Sequence, residues 1–173
     1  MGRDLVDTIV DRWRVELPAV AGIELELSKR SGRLFALLGE AASAELVRLG
    51  LTKAEYEVLA VLRSVGEPYR LRPTDLTTRL TLSSGGTSNV LRRLTETGLV
   101  ERELDSRDAR SSWVRLTPTG VKLAEEAVVA ATEAQKAALD KVPRETIEAA
   151  THALRELLLA LGDHPPPAPR VAR

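Results

Sequence analysis

The chain of 173 residues contains no cysteine. Disulfides, thiol redox sensing and thiolate metal sites are therefore excluded. The two histidines, His152 and His164, are too few and too far apart to suggest zinc, so neither a metal nor a cofactor is expected. Aromatic residues are scarce: Trp13, Phe35, Tyr56, Tyr69 and Trp113 are all of them. With 43% apolar residues, the core must be filled mainly by Leu, Val and Ala, a mixture that favours helices. No run of 18 apolar residues and no signal-peptide pattern occurs, so a soluble cytoplasmic protein without a membrane partner is expected. A P-loop and a Rossmann fingerprint are both missing, and no histidine stands near a plausible nucleophile. No enzyme is expected.

Lysine is missing between residues 70 and 115, where nine arginines face six acids. The whole chain is formally neutral, so this stretch carries a surplus of three positive charges and the remainder an equal negative one. Neutrality argues against a general polyanion binder. The middle of the chain is nevertheless the candidate face for an anionic partner.

Apolar spacing predicts a helix over residues 4–17, from Leu5, Ile9, Trp13 and Leu17, ended by Pro18. A longer helix follows over 20–48, with Ile23, Leu27, Leu34, Leu38 and Leu46 near one stripe. Thr52 and Glu55 form a capping-box pair, and Leu51 with Tyr56 suits the hydrophobic staple of a helix running to Ser64 and ended by Gly66. "YRLR" (69–72) reads as a lone strand, and Pro73 suits the first position of a helix ending near Leu80. After a three-residue break, a second helix spans 84–97 and stops at Gly98. Leu76, Leu80, Leu91 and Leu94 face inward from this helix-turn-helix. Residues 99–104 and 112–116 alternate as strands around a polar tip, which makes a winged helix. Amphipathic helices over 118–140 and 143–161 precede a Pro-rich tail expected to be disordered.

The expected fold is mainly α: a winged helix-turn-helix, of α+β kind, with N- and C-terminal dimerisation helices. Residues 1–50 supply the N-terminal helices, 51–117 the winged helix, 118–162 the C-terminal helices and 163–173 the tail. The terminal helices exceed what a small winged helix needs, and their apolar faces suggest a homodimer.

On the helix over 84–97, Gly85, Ser88, Asn89, Arg92 and Arg93 fall opposite the apolar side formed by Val90, Leu91 and Leu94. The first turns of a recognition helix meet base edges in the major groove, and arginines further along reach phosphates. Asn89 suits bidentate pairing with adenine, and Ser88 suits several bases. At the hairpin tip, Asp108 can hold Arg110 extended for minor-groove insertion, with Arg107 adding charge. Candidate contacts to double-stranded DNA are therefore Ser84, Gly86, Thr87, Ser88, Asn89, Arg92, Arg93, Arg107, Asp108 and Arg110. Ser and Gly also mark ordinary helix starts, and charged loop tips are often merely solvated.

The segments "LTKAEYEVLAVL", "LRPTDLTTRLTLSSGGTSNVLRRLTETGLVER" and "DSRDARSSWVRLTPTG" resemble the MarR family of winged-helix repressors, over roughly residues 20–162. The resemblance implies a homodimeric repressor on a palindromic operator, nucleoid-associated in the cytoplasm, with recognition helices in successive major grooves and wings in the minor groove. It also implies regulation by a small anionic or aromatic effector. "VDRWRVELP" and "PYRLRPTDL" further resemble the urate-responsive (PecS/UrtR-like) branch. Its ligand pocket maps by position onto Trp13, Glu57, Val90 and Arg102, so urate, another purine or a phenolic anion is the implied effector. Glu57 stands where that branch has Asp, and Val90 where it has Arg. Trp13 also reads as a core anchor, and Glu57 with Arg102 as a purely structural bridge. Two alternatives stay open: a DNA-binding regulator without a ligand, and a winged helix used for protein–protein assembly.

Overall fold

A computed structural model describes residues 2–80, 84–105 and 108–164, with the side chains of 84, 105 and 108–111 outside the description. The chain divides into two compact units, Met1–Lys136 and Ala137–Arg173.

In the first unit, helix α1 spans Leu5–Glu16 and opens on a capping box. The Asp4 carboxylate accepts from the Asp7 N–H at 2.9 Å, and the Asp7 carboxylate accepts from the Asp4 N–H at 2.8 Å. Val6 and Val10 are its buried residues, and α1 packs on α2 (Ile23–Arg48). The long helix expected from residue 20 starts later. Pro18 places Pro18–Val20 in a short 3₁₀ turn, and the extended Gly22 then caps α2. Only Ala42 and Leu46 of α2 are buried; Ile23, Leu27, Leu34 and Phe35 on its first half are exposed.

Helix α3 (Lys53–Ser64) begins with the expected box: the Glu55 N–H donates to Thr52 Oγ1 at 3.2 Å, and Glu55 Oε2 accepts from the Thr52 N–H at 2.8 Å. Its Val58, Leu59 and Leu62 have no exposed surface and form the centre of the core. Burying each such side chain contributes on the order of 1.5–3 kcal/mol. Around them gather Leu76 of α4 (Pro73–Arg79), Leu91 and Leu94 of α5 (Ser84–Glu96), and Val100, Val114 and Leu116 of the sheet. Ala124 and Ala127 of α6 (Pro118–Ala138) complete it.

Strand β1 (Arg70–Leu71) pairs antiparallel with β3 (Asp108–Leu116), which pairs antiparallel with β2 (Val100–Asp105). Both wing strands reach further toward the tip than the sequence spacing predicts. Alternation ends where apolar residues end, but backbone pairing continues to Asp105 opposite Asp108, past an irregularity at Leu104. Period two sends Val114 and Leu116 to the core, and Trp113 and Arg115 to the outer face.

Gly98, at φ 70°, lets the chain leave α5, with the Leu99 N–H closing on Leu94 O at 2.9 Å. Thr117 then starts α6: its Oγ1 accepts from the Gly120 N–H at 3.0 Å and donates to Gly98 O at 2.7 Å. The wing base and the start of α6 are thereby tied to the end of α5.

In the second unit, α7 (Arg144–Ala160) buries no residue. Leu154, Leu157, Leu158 and Leu159 remain partly open on it, as does Leu161 just beyond.

Candidate nucleic-acid interface

Helix α5 is oriented by Leu91, Leu94 and the half-buried Val90, which pack into the core. That roll exposes Gly85, Ser88, Asn89, Arg92 and Arg93 together, as the apolar pattern predicts. Thr87 is a correction. It is only 2% exposed, because its place in the helical period matches that of Leu91 and Leu94, so its side chain belongs to the interior rather than to a DNA-facing surface. Gly86 is half-buried beside it.

The exposed side chains are tied to one another. Arg92 donates through Nη2 to Asn89 Oδ1 at 2.9 Å and through Nη1 to Glu96 Oε1 at 2.7 Å. Arg93 reaches the other way: its Nε lies 3.1 Å from Oε1 of Glu55, whose residue is only 4% exposed. Glu55 was legible in the sequence as a helix cap, but its second role was not. The pairing joins α3 to α5 and depends on how the two helices pack.

Ser84 opens α5, and Asp108 and Arg110 lie in β3, but their side chains are outside the described residues. Arg107 lies outside them altogether. Nearer the core, the outer face of the wing sheet carries a cluster that spacing did not reveal. The Arg70 and Arg72 guanidinia sit 4.9 and 4.8 Å from the Trp113 ring centroid. Arg70 donates to Glu103 Oε1 at 2.9 Å, and Arg115 donates through Nε to Glu101 Oε1 at 2.9 Å. The Glu101 carboxylate raises the Arg115 pKa above its ordinary value, so that guanidinium stays charged. The alternation of Trp113 with Val114 was the available signal, since an odd-numbered aromatic on β3 must leave the core face.

The residues mapped to a ligand pocket are less coherent. Trp13 lies on α1, 40% exposed. Val90 packs against the core, Glu57 is half-buried and Arg102 is exposed on β2. Among the described residues no ion pair joins Glu57 to Arg102, so the alternative reading of the two as a structural bridge finds no support in the geometry. The register explains it: Arg102 lies opposite Val114, farther along the wing than the buried Val100, and its side chain runs out into solvent. Burial, and then the neighbouring Glu57, push the Tyr56 phenol up in pKa. A shallow cleft of about 570 Å³, lined by Arg48, Lys122, Glu125, Glu126, Val129 and Ala130, contains none of the four. Among the described residues no group of three or more His, Asp or Glu could hold a metal, and no helix is long and apolar enough to cross a membrane.

Comparison with known proteins places this geometry. Residues 49–111 match the sequence model of the MarR family. The chain is 28% identical over 118 residues to the HTH-type transcriptional regulator PecS of Dickeya dadantii (strain 3937), covering 68% of this chain and 71% of PecS. The structure is similar to AbsC, a MarR family transcriptional regulator from Streptomyces coelicolor, at 25% identity and a TM-score of 0.67, over 94% of this chain and 100% of AbsC. It is also similar to Sco3205, a MarR family transcriptional regulator from S. coelicolor solved in complex with DNA, at 25% identity and a TM-score of 0.68, over 83% of this chain and 94% of that one. Its three-stranded wing sheet and paired helices α4 and α5 are thus those of a winged helix-turn-helix, and in sequence and structure the chain is similar to MarR family regulators.

Proposed function

We propose that the chain is a DNA-binding transcriptional regulator and not an enzyme, acting as a homodimeric repressor on a palindromic operator near the genes it controls. The observation that carries this reading is the exposed face of α5. Short polar side chains at Ser88 and Asn89 stand at its first turns, two arginines follow, and a wing rich in arginine continues beside them. An assembly surface would instead favour exposed leucine or aromatic residues there. PecS is a transcriptional regulator by name and Sco3205 was solved with DNA, and both similarities support the reading.

Asn89 Oδ1 already accepts from Arg92, and a carbonyl oxygen has a second lone pair. The amide can thus be steadied by Arg92 while its edge addresses an adenine. Ser84, Gly86, Asp108, Arg107 and Arg110 extend the proposed contact toward the helix start and the minor groove. The test is a gel-shift titration on a palindromic fragment selected from genomic DNA. Arg110→Ala should weaken binding by more than about tenfold, roughly 1.4 kcal/mol, and unchanged binding would remove the DNA-reading wing.

The same reading includes release by an anionic or aromatic effector at Trp13, Glu57, Val90 and Arg102, with urate or a related purine as the first compound to try. A shift in melting temperature on adding urate, with loss of the gel-shifted complex, would support it. A second reading, regulation without this ligand, is favoured by a specific observation: Val90 packs against the core and offers an anion no donor. No shift with any purine would favour that alternative.

A further inference from the structure

The Glu55 carboxylate is nearly sealed from solvent, and each of its oxygens has a separate engagement. Oε2 accepts from the Thr52 N–H at 2.8 Å and from Thr52 Oγ1 at 2.7 Å, which completes the start of α3. Oε1 faces Arg93 Nε at 3.1 Å. The Glu55 side chain is 6% exposed, whereas that of Arg93 is 53% exposed, so the pair spans the boundary between interior and surface. Arg92 differs: its partners Asn89 and Glu96 lie on its own helix, and it and Glu96 are both well exposed.

We infer that Glu55 is a positioning residue for DNA recognition, holding Arg93 by an ion pair at its Nε so that the Nη groups stay available to a phosphate. The inference rests on the DNA-binding reading above and deepens it. Three facts combine. Glu55 is immobilised by a helix cap that exists whether or not Arg93 is present. Leu91 and Leu94 fix the roll of α5 from beneath. Nε is the guanidinium nitrogen nearest the chain and the one that meets Glu55, so an ion pair there leaves both Nη groups for bidentate contact with phosphate. Ordering a long side chain before binding lowers the entropy lost when the complex forms.

This assignment makes a prediction opposite in sign to simple charge counting. A carboxylate close to the DNA backbone repels it, so removing the charge should tighten binding if Glu55 only neutralises Arg93. If Glu55 positions Arg93, loosening the clamp should weaken binding. Glu55→Asp separates these cases. It keeps the charge and can keep the cap, as Asp7 does at the same position of α1, but it shortens the reach to Arg93. Arg93→Lys, at an exposed site, keeps the charge and removes the planar fork.

The experiment is fluorescence anisotropy of the full chain on its selected DNA fragment across a series of salt concentrations, with thermal melting of each variant. The clamp predicts that E55D and R93K each raise Kd by about fivefold or more while melting within a few degrees of the parent. R93A should lower the salt slope by about one, and E55D should move it in the same direction. Adding E55D to R93A should cost less than about twofold more, because the clamped group is already gone. Parent-like or tighter binding by E55D, or parent-like binding by R93K, overturns the inference while leaving the regulator reading intact. Independent, multiplying effects of E55D and R93A overturn it too. If the parent chain binds none of the genomic fragments, both fall.

Discussion

A methyl group added at Gly120 would lie 1.9 Å from the carbonyl oxygen of Leu99, a backbone atom that cannot move without shifting the wing base. Gly120→Ala should therefore cost about 1–3 kcal/mol by overpacking, read as a lower urea midpoint at unchanged m-value. Gly85 presents the reverse case. It lies on the exposed start of α5 with nothing within 4 Å of an added Cβ. Gly85→Ala should stabilise the free protein by up to about 1 kcal/mol, yet weaken DNA binding if the backbone there must approach the duplex closely. Thermal melting and gel shift on the same variant would show the two effects in opposite directions. Thr87 and Ser88, adjacent and both small and polar, illustrate how much one step along a helix decides. The first is interior and the second open, because α5 is held by Leu91 and Leu94.

Among the elements, α1 is fastened to α2 partly by charge. Arg30 of α2 donates through Nε to Asp4 at 2.8 Å, through Nη2 to Asp7 at 2.7 Å and through Nη1 to Glu26 at 2.8 Å, while Asp11 pairs with Arg3 and Arg14. The Asp7 backbone N–H first, and then Arg30, hold the Asp4 carboxyl below its ordinary pKa of 3.8; Arg3, then Arg14, do the same for Asp11. Carboxyls lowered on folding contribute stability above their unfolded value and lose it as pH falls through the folded one. Unfolding monitored by tryptophan fluorescence should thus show no dependence on these groups from about pH 5 to 8, and a loss below about pH 4. Because the groups are exposed, added salt should weaken the network at neutral pH as well. Helix α3 rests on a local device instead: Thr52→Ala removes an N-cap and should cost about 1 kcal/mol.

At the scale of the molecule, exposed leucines remain where the sequence predicts a partner. The first half of α2 leaves Ile23, Leu27 and Phe35 open, and α7 buries none of its leucines. Gel filtration at micromolar concentration should give twice the 18.8 kDa chain mass. Leu157→Glu combined with Leu161→Glu should shift the peak toward one chain and abolish binding to a two-half-site fragment, leaving half-site binding weak but measurable.

Most elements were legible because their signals are local. A Thr three residues before Glu, a Pro at a helix start, a Gly after its end and period-two alternation each act within one turn or one pair of strands. The order of elements from residue 51 to 117, the inward leucines and the exposed face of α5 follow from them. Tertiary packing alone decided how far charged residues reach. It turned Glu55 from a cap into the partner of Arg93, stacked Arg70 and Arg72 on Trp113, and sent Arg102 into solvent instead of toward Glu57. The reason is physical: a cap is set by the backbone of a single helix, whereas an ion pair between α3 and α5 exists only once buried leucines have fixed the distance and roll between them.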